Sequence, residues 1–201
     1  MAATVDEISG GRLVFGVGAG WNRPEFDAFD IPFDQRAARF EEALSIIAPL
    51  VDGRRVTFDG THHRVDDAVL LPTPRRRVPL MIGSTGERVL RAALPVAAWW
   101  NTWFDWYGNS ADGFAALNER VSGICSDVGR DQTTVARSAC LLVITDPNAG
   151  ERPRPTEYSA ATPSDVRARI LELRDAGADE VILVSDPIDE RSVRVLADTL
   201  R

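Results

Sequence analysis

Gly83-Ser84-Thr85-Gly86, followed by Glu87 and Arg88, joins the apolar run Pro79 to Ile82 to an amphipathic stretch ending at Leu94. Where a strand runs into a helix through small residues, unpaired backbone N–H groups and the positive end of the helix dipole converge on one spot, as an anion requires. The hydroxyls of Ser84 and Thr85 can hydrogen-bond a phosphate and Arg88 can add charge. A tight turn that needs glycine for its backbone angles explains the same residues, and both readings stand at this point.

A second glycine cluster, Gly16-Val17-Gly18-Ala19-Gly20, ends another apolar run and precedes Trp21. Its G-x-G-x-G spacing is one residue short of the dinucleotide fingerprint, and no acidic residue ends a second strand about 20 positions on, which counts against a Rossmann site. Glycines there can let a flat ring approach the backbone, or simply relieve a crowded turn. Trp99-Trp100-Asn101-Thr102-Trp103 places three indoles in five positions at a strand end. Neighbouring strand residues face opposite ways, so Trp99 and Trp100 cannot line one pocket, and Asn101 is the informative polar residue. His62 and His63 lie in a hairpin, where a surface role outweighs general-base work. There is no Gly-x-Ser-x-Gly, no metal-spaced His/Asp set and no carboxylate pair to single out, so no catalytic residue and no metal ligand is named.

Five short apolar runs read as strands buried on both faces: Leu13 to Val17, Pro79 to Ile82, Val96 to Trp100, Ala139 to Ile144 and Glu180 to Val184. Helices separate most of them. Phe33, Ala37, Phe40, Leu44, Ile47 and Val51 share one helical face, as do Phe114, Leu117, Val121, Ile124 and Val128, with Ser110 as N-cap and Gly129 as stop. Thr162-Pro163-Ser164-Asp165 starts a helix that Gly177 ends. Alternating strands and helices predict an α/β fold with a parallel sheet. Val56 to Leu71 reads as an inserted hairpin turning at Asp59-Gly60, and Asp146 to Ala161 as a long polar loop, either a lid or a disordered surface segment.

With 201 residues and no apolar run near the length of a membrane span, the chain reads as one soluble domain. A net charge of −7 argues against a nucleic-acid partner. Arg75-Arg76-Arg77, flanked by prolines, reads as a solvated loop, and Cys125 and Cys140 as buried small hydrophobes. The N-terminus lacks the pattern of a secretory signal, so the expected location is cytoplasmic.

Taken together, SGGRLVFGVGAGW, RAARFEEALSII, VTFDGTHHRVDDA, PLMIGSTGERVLRAA, WWNTW and GADEVILVSDP resemble the bacterial luciferase-like monooxygenase superfamily, in particular its branch of F420-dependent oxidoreductases. The resemblance spans nearly the whole chain. It implies a (β/α)8 TIM-barrel type of fold, here incomplete, with about the fourth to eighth strands present and roughly 90 N-terminal residues missing from a complete barrel. Residues 1–201 would be a single luciferase-like domain lacking its N-terminal third. The resemblance further implies coenzyme F420, or alternatively FMN, bound at the strand ends. Gly83, Ser84, Thr85, Gly86, Glu87 and Arg88 would form the phosphate loop, Gly18, Ala19, Gly20 and Trp21 would flank the cofactor at the fourth strand, and Asn101 would sit at the end of the sixth.

The function implied is hydride transfer between F420 or FMN and a small organic substrate, with a homodimer as the implied assembly and no membrane partner. Two other classes are open: a non-catalytic remnant that assembles through exposed sheet edges, and an open five-stranded nucleotide-binding domain using Gly83 to Gly86 for phosphate.

Overall fold

The structure is a computed structural model that describes residues 1–150 and 159–201. Its elements in chain order are α1 (Ala2–Ile8), β1 (Phe15–Val17), α2 (Arg23–Ala28), α3 (Arg36–Val51), β2 (Val56–Asp59), β3 (Arg64–Ala68), β4 (Leu80–Gly83), α4 (Glu87–Ala93), β5 (Trp99–Thr102), α5 (Ala111–Asp127), β6 (Ala136–Ile144), α6 (Val166–Asp175), β7 (Glu180–Asp186) and α7 (Glu190–Leu200). The main sheet has the order β1-β4-β5-β6-β7, with β1 parallel to β4 and β6 parallel to β7, while β2 and β3 form a separate antiparallel hairpin. This is the α/β class that the alternating pattern predicts. Part of the long polar loop expected at Asp146 to Ala161, residues 151–158, lies outside the described residues.

The chain divides into two compact units, Met1–Trp99 with Ile124–Val135, and Trp100–Gly123 with Ala136–Arg201. In the first, Leu80 and Ile82 bury one face of β4 together with Val89, Leu90, Ala93 and Leu94 from the α4 segment. The other face of β4, Met81 and Gly83, stays half-buried. The expectation of strands buried on both faces therefore holds for β6, where seven consecutive residues are buried, but not for β1, β4, β5 or β7. In β1 and β4 the less buried face carries glycine, which has no side chain with which to fill a core.

The basic run is not simply solvated. Arg76 donates to Asp6 at 2.5 Å and to the Leu13 carbonyl at 2.9 Å, Arg75 pairs with Glu7 at 2.8 Å, and Arg77 with Asp52 at 3.2 Å. The pairs that Arg76 and Arg75 make with Asp6 and Glu7 dock α1 beside the entry to β4, and the Arg77 pair reaches the end of α3. The hairpin turns over Gly60 to His63 rather than at Asp59-Gly60 alone, closed by the Gly60 N–H donating to the His63 carbonyl at 3.0 Å. Strand β5 starts three residues later than expected, because Val96 and Ala97 N–H groups both donate to the Ala93 carbonyl and finish the end of α4.

In the second unit Trp100 is fully buried and stacks on Phe114 at 5.9 Å, and Tyr107 meets the same ring edge-on at 5.8 Å. Ser110 caps α5 as expected, its Oγ accepting from the Gly113 N–H at 3.2 Å. Helix α6 begins at Val166, three residues after Pro163, since Thr162 and Asp165 close a preceding turn through bonds from the Thr162 N–H and hydroxyl to Asp165 Oδ1 at 2.5 and 2.8 Å. Gly177, at φ +97°, ends that helix as predicted. Cys125 and Cys140 are both free and buried.

Candidate functional site

Both glycine clusters of the first unit come to one place. The register Phe15↔Leu80, Gly16↔Met81, Val17↔Ile82 sets the exits of β1 and β4 side by side. Parallel partners present their side chains on the same face, so Gly16 and Gly18 share a face with Met81 and Gly83, opposite the buried Ile82. A methyl group placed on Gly18 would stand 3.3 Å from the Gly83 carbonyl oxygen, whereas one on Gly16 or Gly83 would meet nothing within 4 Å. The result is a backbone floor with open space above it and Met81 as its single side chain.

The exit from β1 is held by a close fit. Gly20 has φ +76°, and a Cβ there would lie 2.5 Å from Cζ of Phe26, so only glycine lets α2 seat its phenyl ring against the loop. Phe26 meets Phe33 edge-on at 5.2 Å, and the guanidinium carbons of Arg36 and Arg23 lie 4.5 and 5.1 Å from the centre of the Phe33 ring. Ala19 is half-buried, while Trp21 is 77% exposed and projects into solvent.

At the β4 exit, Ser84 Oγ accepts the Gly86 N–H at 3.0 Å, and the Gly86 carbonyl accepts from Leu90 N–H at 3.0 Å to close the first turn of α4. That helix has seven residues, so its dipole is small and the loop's own N–H and hydroxyl groups must supply any anion contacts. Arg88 does not reach over the loop. Its Nε and Nη2 donate to Glu41 Oε1 and Oε2 of α3 at 2.6 and 2.7 Å, a fork-to-fork pair. The hydrogen bond and charge of Arg88 hold the Glu41 carboxyl below its ordinary value and raise the guanidinium in return. Glu87 in turn accepts from Arg91 at 2.9 Å, and Arg91 also donates to Asp127 at 2.7 Å. Glu41, Glu87, Arg88, Arg91 and Ala92 line a shallow groove along α3 and α4.

Next to Glu41, Glu42 accepts three consecutive backbone N–H groups, from Thr61 at 2.9 Å, His62 at 2.7 Å and His63 at 2.9 Å, and so fastens the hairpin loop to α3. Both histidines are half-buried, and His62 Nδ1 lies 3.4 Å from an Arg39 nitrogen.

Asn101, in the second unit, is the next-to-last residue of β5. Its Nδ2 donates to Ser138 Oγ at 3.0 Å, and Ser138 donates its own proton to Glu180 Oε2 at 2.7 Å. Cys140 Sγ is 3.6 Å from the same Nδ2, and burial pushes that thiol up from its ordinary pKa. Sequence reasoning missed Glu41, Glu42, Ser138 and Glu180, whose partners are 19 to 47 positions away. No local spacing signals such pairings. Among the described residues no group of His, Cys, Asp and Glu can hold a metal ion, and no helix is long and apolar enough to cross a membrane.

Comparison with known proteins adds to this geometry. The family described as luciferase-like monooxygenase matches residues 1–154. An F420-dependent glucose-6-phosphate dehydrogenase of Nakamurella multipartita is 30% identical over 132 residues, 62% of this chain and 33% of that protein. An FMNH2-dependent dimethylsulfone monooxygenase of Pseudomonas fluorescens is 32% identical over 117 residues, 57% of this chain and 31% of that protein. The chain thus spans about a third of the length of these curated relatives. Among solved structures, an F420-dependent secondary alcohol dehydrogenase in complex with an F420-acetone adduct superposes with a TM-score of 0.77 at 17% identity, over 100% of this chain and 73% of that one. At that identity the likeness shows the fold.

Proposed function

The chain belongs to the luciferase-like monooxygenase family, and on that premise we propose that it holds the cofactor of a flavin- or deazaflavin-dependent oxidoreductase that passes hydride between F420 or FMN and a small organic substrate. The observation that carries this reading is the floor formed by Gly16, Gly18, Met81 and Gly83, where backbone is open to a flat ring and no β-carbon intrudes above Gly16 or Gly83.

The residues present fit such a group. Gly18, Ala19 and Gly20 lead the chain away from one side of the floor, and the exposed Trp21 follows them. Gly83, Ser84, Thr85 and Gly86 would line the phosphate position, the Gly86 N–H being given to Ser84 Oγ in the structure, with Glu87 and Arg88 opening the helix that follows. Bound there, the cofactor supplies the ring that takes up or gives hydride, and the protein orients it and limits access by water. Relatives named for F420 and for FMNH2 support the pair of candidates equally.

Fluorescence titration of the 201-residue chain with FMN and with F420 tests the reading. Quenching that saturates at micromolar ligand, and that Gly83→Val abolishes, is the expected result. If neither cofactor binds at micromolar concentrations, the proposal is wrong. A second reading, assembly without cofactor chemistry, draws on the edge position of β1, which among the described residues has a strand neighbour on one side only. A defined oligomer with no affinity for either cofactor would favour it.

A further inference from the structure

We propose that Asn101, Cys140 and Ile182 form a subsite of the second unit for a small apolar molecule that carries a hydroxyl. The Asn101 carbonyl is its acceptor, and Glu180 is the positioning residue that sets the amide through Ser138. This inference deepens the oxidoreductase reading, on which it rests for the role of that molecule as substrate.

An amide has a donor end and an acceptor end, and its neighbours decide which end faces which way. Ser138 and Glu180 are register partners on β6 and β7, so their side chains stand on one face of the sheet. The Ser138 hydroxyl has a single proton, and that proton goes to Glu180 Oε2 at 2.7 Å. Toward Asn101 the hydroxyl can therefore only accept, at 3.0 Å, and the Ser138 carbonyl at 3.4 Å likewise only accepts. The amide atom beside them must be Nδ2. Among the described residues Oδ1 then meets the Cys140 thiol, 3.7 Å away. A thiol is a weak donor, and burial pushes this one up, so it keeps its proton and gives Oδ1 little. A hydroxyl is the stronger donor and displaces it at small cost.

The surroundings define the rest of the ligand. Cys140 pairs in register with Ile182, whose side chain stands on the same face and is 40% exposed, and Asn101 is half-buried. An uncovered isoleucine beside one oriented acceptor suits a hydrocarbon skeleton with one hydroxyl. A molecule of the same shape that only accepts, such as an ether, meets Oδ1 oxygen against oxygen. The Glu180 charge is felt at Cys140 and disfavours an anion there.

Cyclohexanol and its methyl ether test the subsite on the 15N-labelled 201-residue chain, read at the Asn101 side-chain amide signals, which Asn101→Asp identifies by their loss. Cyclohexanol should shift those signals and bind about three- to tenfold more tightly than the ether, the scale of one hydrogen bond. In Glu180→Leu the Ser138 proton is free to face Asn101, the amide turns over, and the preference for the alcohol should disappear. Glu180→Gln, whose side-chain oxygen still accepts from Ser138, should keep it. A merely structural pairing would weaken both probes together. Circular dichroism and the thermal midpoint verify that each variant folds, and the wild-type comparison stands without them. Equal binding of the two probes by wild type, or no shift at Asn101 with either, overturns the proposal. FMN titration of the same protein is read separately. FMN binding without alcohol selection removes the subsite and leaves the cofactor reading standing, whereas alcohol selection without FMN binding overturns the cofactor reading and the substrate role together.

Discussion

Asn109 uses both ends of its amide on the backbone of Leu142: Nδ2 donates to the Leu142 carbonyl at 3.2 Å, and Oδ1 accepts the Leu142 N–H at 2.9 Å. A side chain thus pairs with the middle of β6 as a neighbouring strand would. Asn109 is fully buried at φ +50°, its Nδ2 also reaches the Ser159 carbonyl at 3.3 Å, and its own carbonyl accepts from Arg169. Asparagine is among the few residues that tolerate this backbone region.

Asn109→Ala should therefore cost about 2 to 4 kcal/mol, since it strands the Leu142 N–H in the interior and leaves a β-carbon in a left-handed conformation. Asn109→Gly relieves the backbone but not the lost bonds and should be intermediate. Urea denaturation of the three proteins measures this, and a loss below about 0.5 kcal/mol for the alanine variant would show that the amide is dispensable.

The glycines divide into those that the fold needs and those that only a ligand would need. Gly20→Ala drives a β-carbon into Phe26 at 2.5 Å and forbids φ +76°, so it should destabilise by about 1 to 3 kcal/mol. Gly16→Ala meets nothing within 4 Å and should be neutral within about 0.5 kcal/mol. Gly16→Leu should likewise fold yet lower FMN affinity at least about tenfold by filling the floor. Thermal midpoints and FMN titration separate the two effects, and a Gly16→Leu protein that binds FMN normally would remove the ring from this floor.

These contrasts show what could be read from the chain and what could not. The runs at Leu13 to Val17 and Pro79 to Ile82 announced parallel strands, and Gly129 and Gly177 marked helix ends, because local periodicity and backbone demands are written in adjacent residues. That Gly16 and Gly83 share one face was not legible, since it depends on the register between strands 65 positions apart. The engagement of Arg88 by Glu41 was hidden for the same reason. The sequence shows that an arginine follows a glycine loop, but nothing local shows that a carboxylate 47 residues earlier claims it. Asn101 was legible as an isolated polar residue on an apolar strand, while Ser138 and Glu180, which fix its amide, were not.

Glu42 offers a pH-dependent test of the hairpin. Desolvation raises its pKa, but the backbone N–H groups of His62, His63 and Thr61, with the nearby charge of His62, together outweigh it and leave the carboxyl below its ordinary value of 4.5. A carboxyl depressed in the folded state stabilises above its unfolded pKa, and that contribution is lost as pH falls through the folded value. The stability difference between wild type and Glu42→Gln should therefore be constant from neutral pH down to about 5 and shrink steadily below about 4. Amide protection at Thr61, His62 and His63, taken relative to the intrinsic exchange rate at each pH, should fall over the same acid range in wild type and be low throughout in the variant. The three protons converge on one carboxylate, so they should lose protection together; if they exchange at unrelated rates, the carboxylate does not hold the loop.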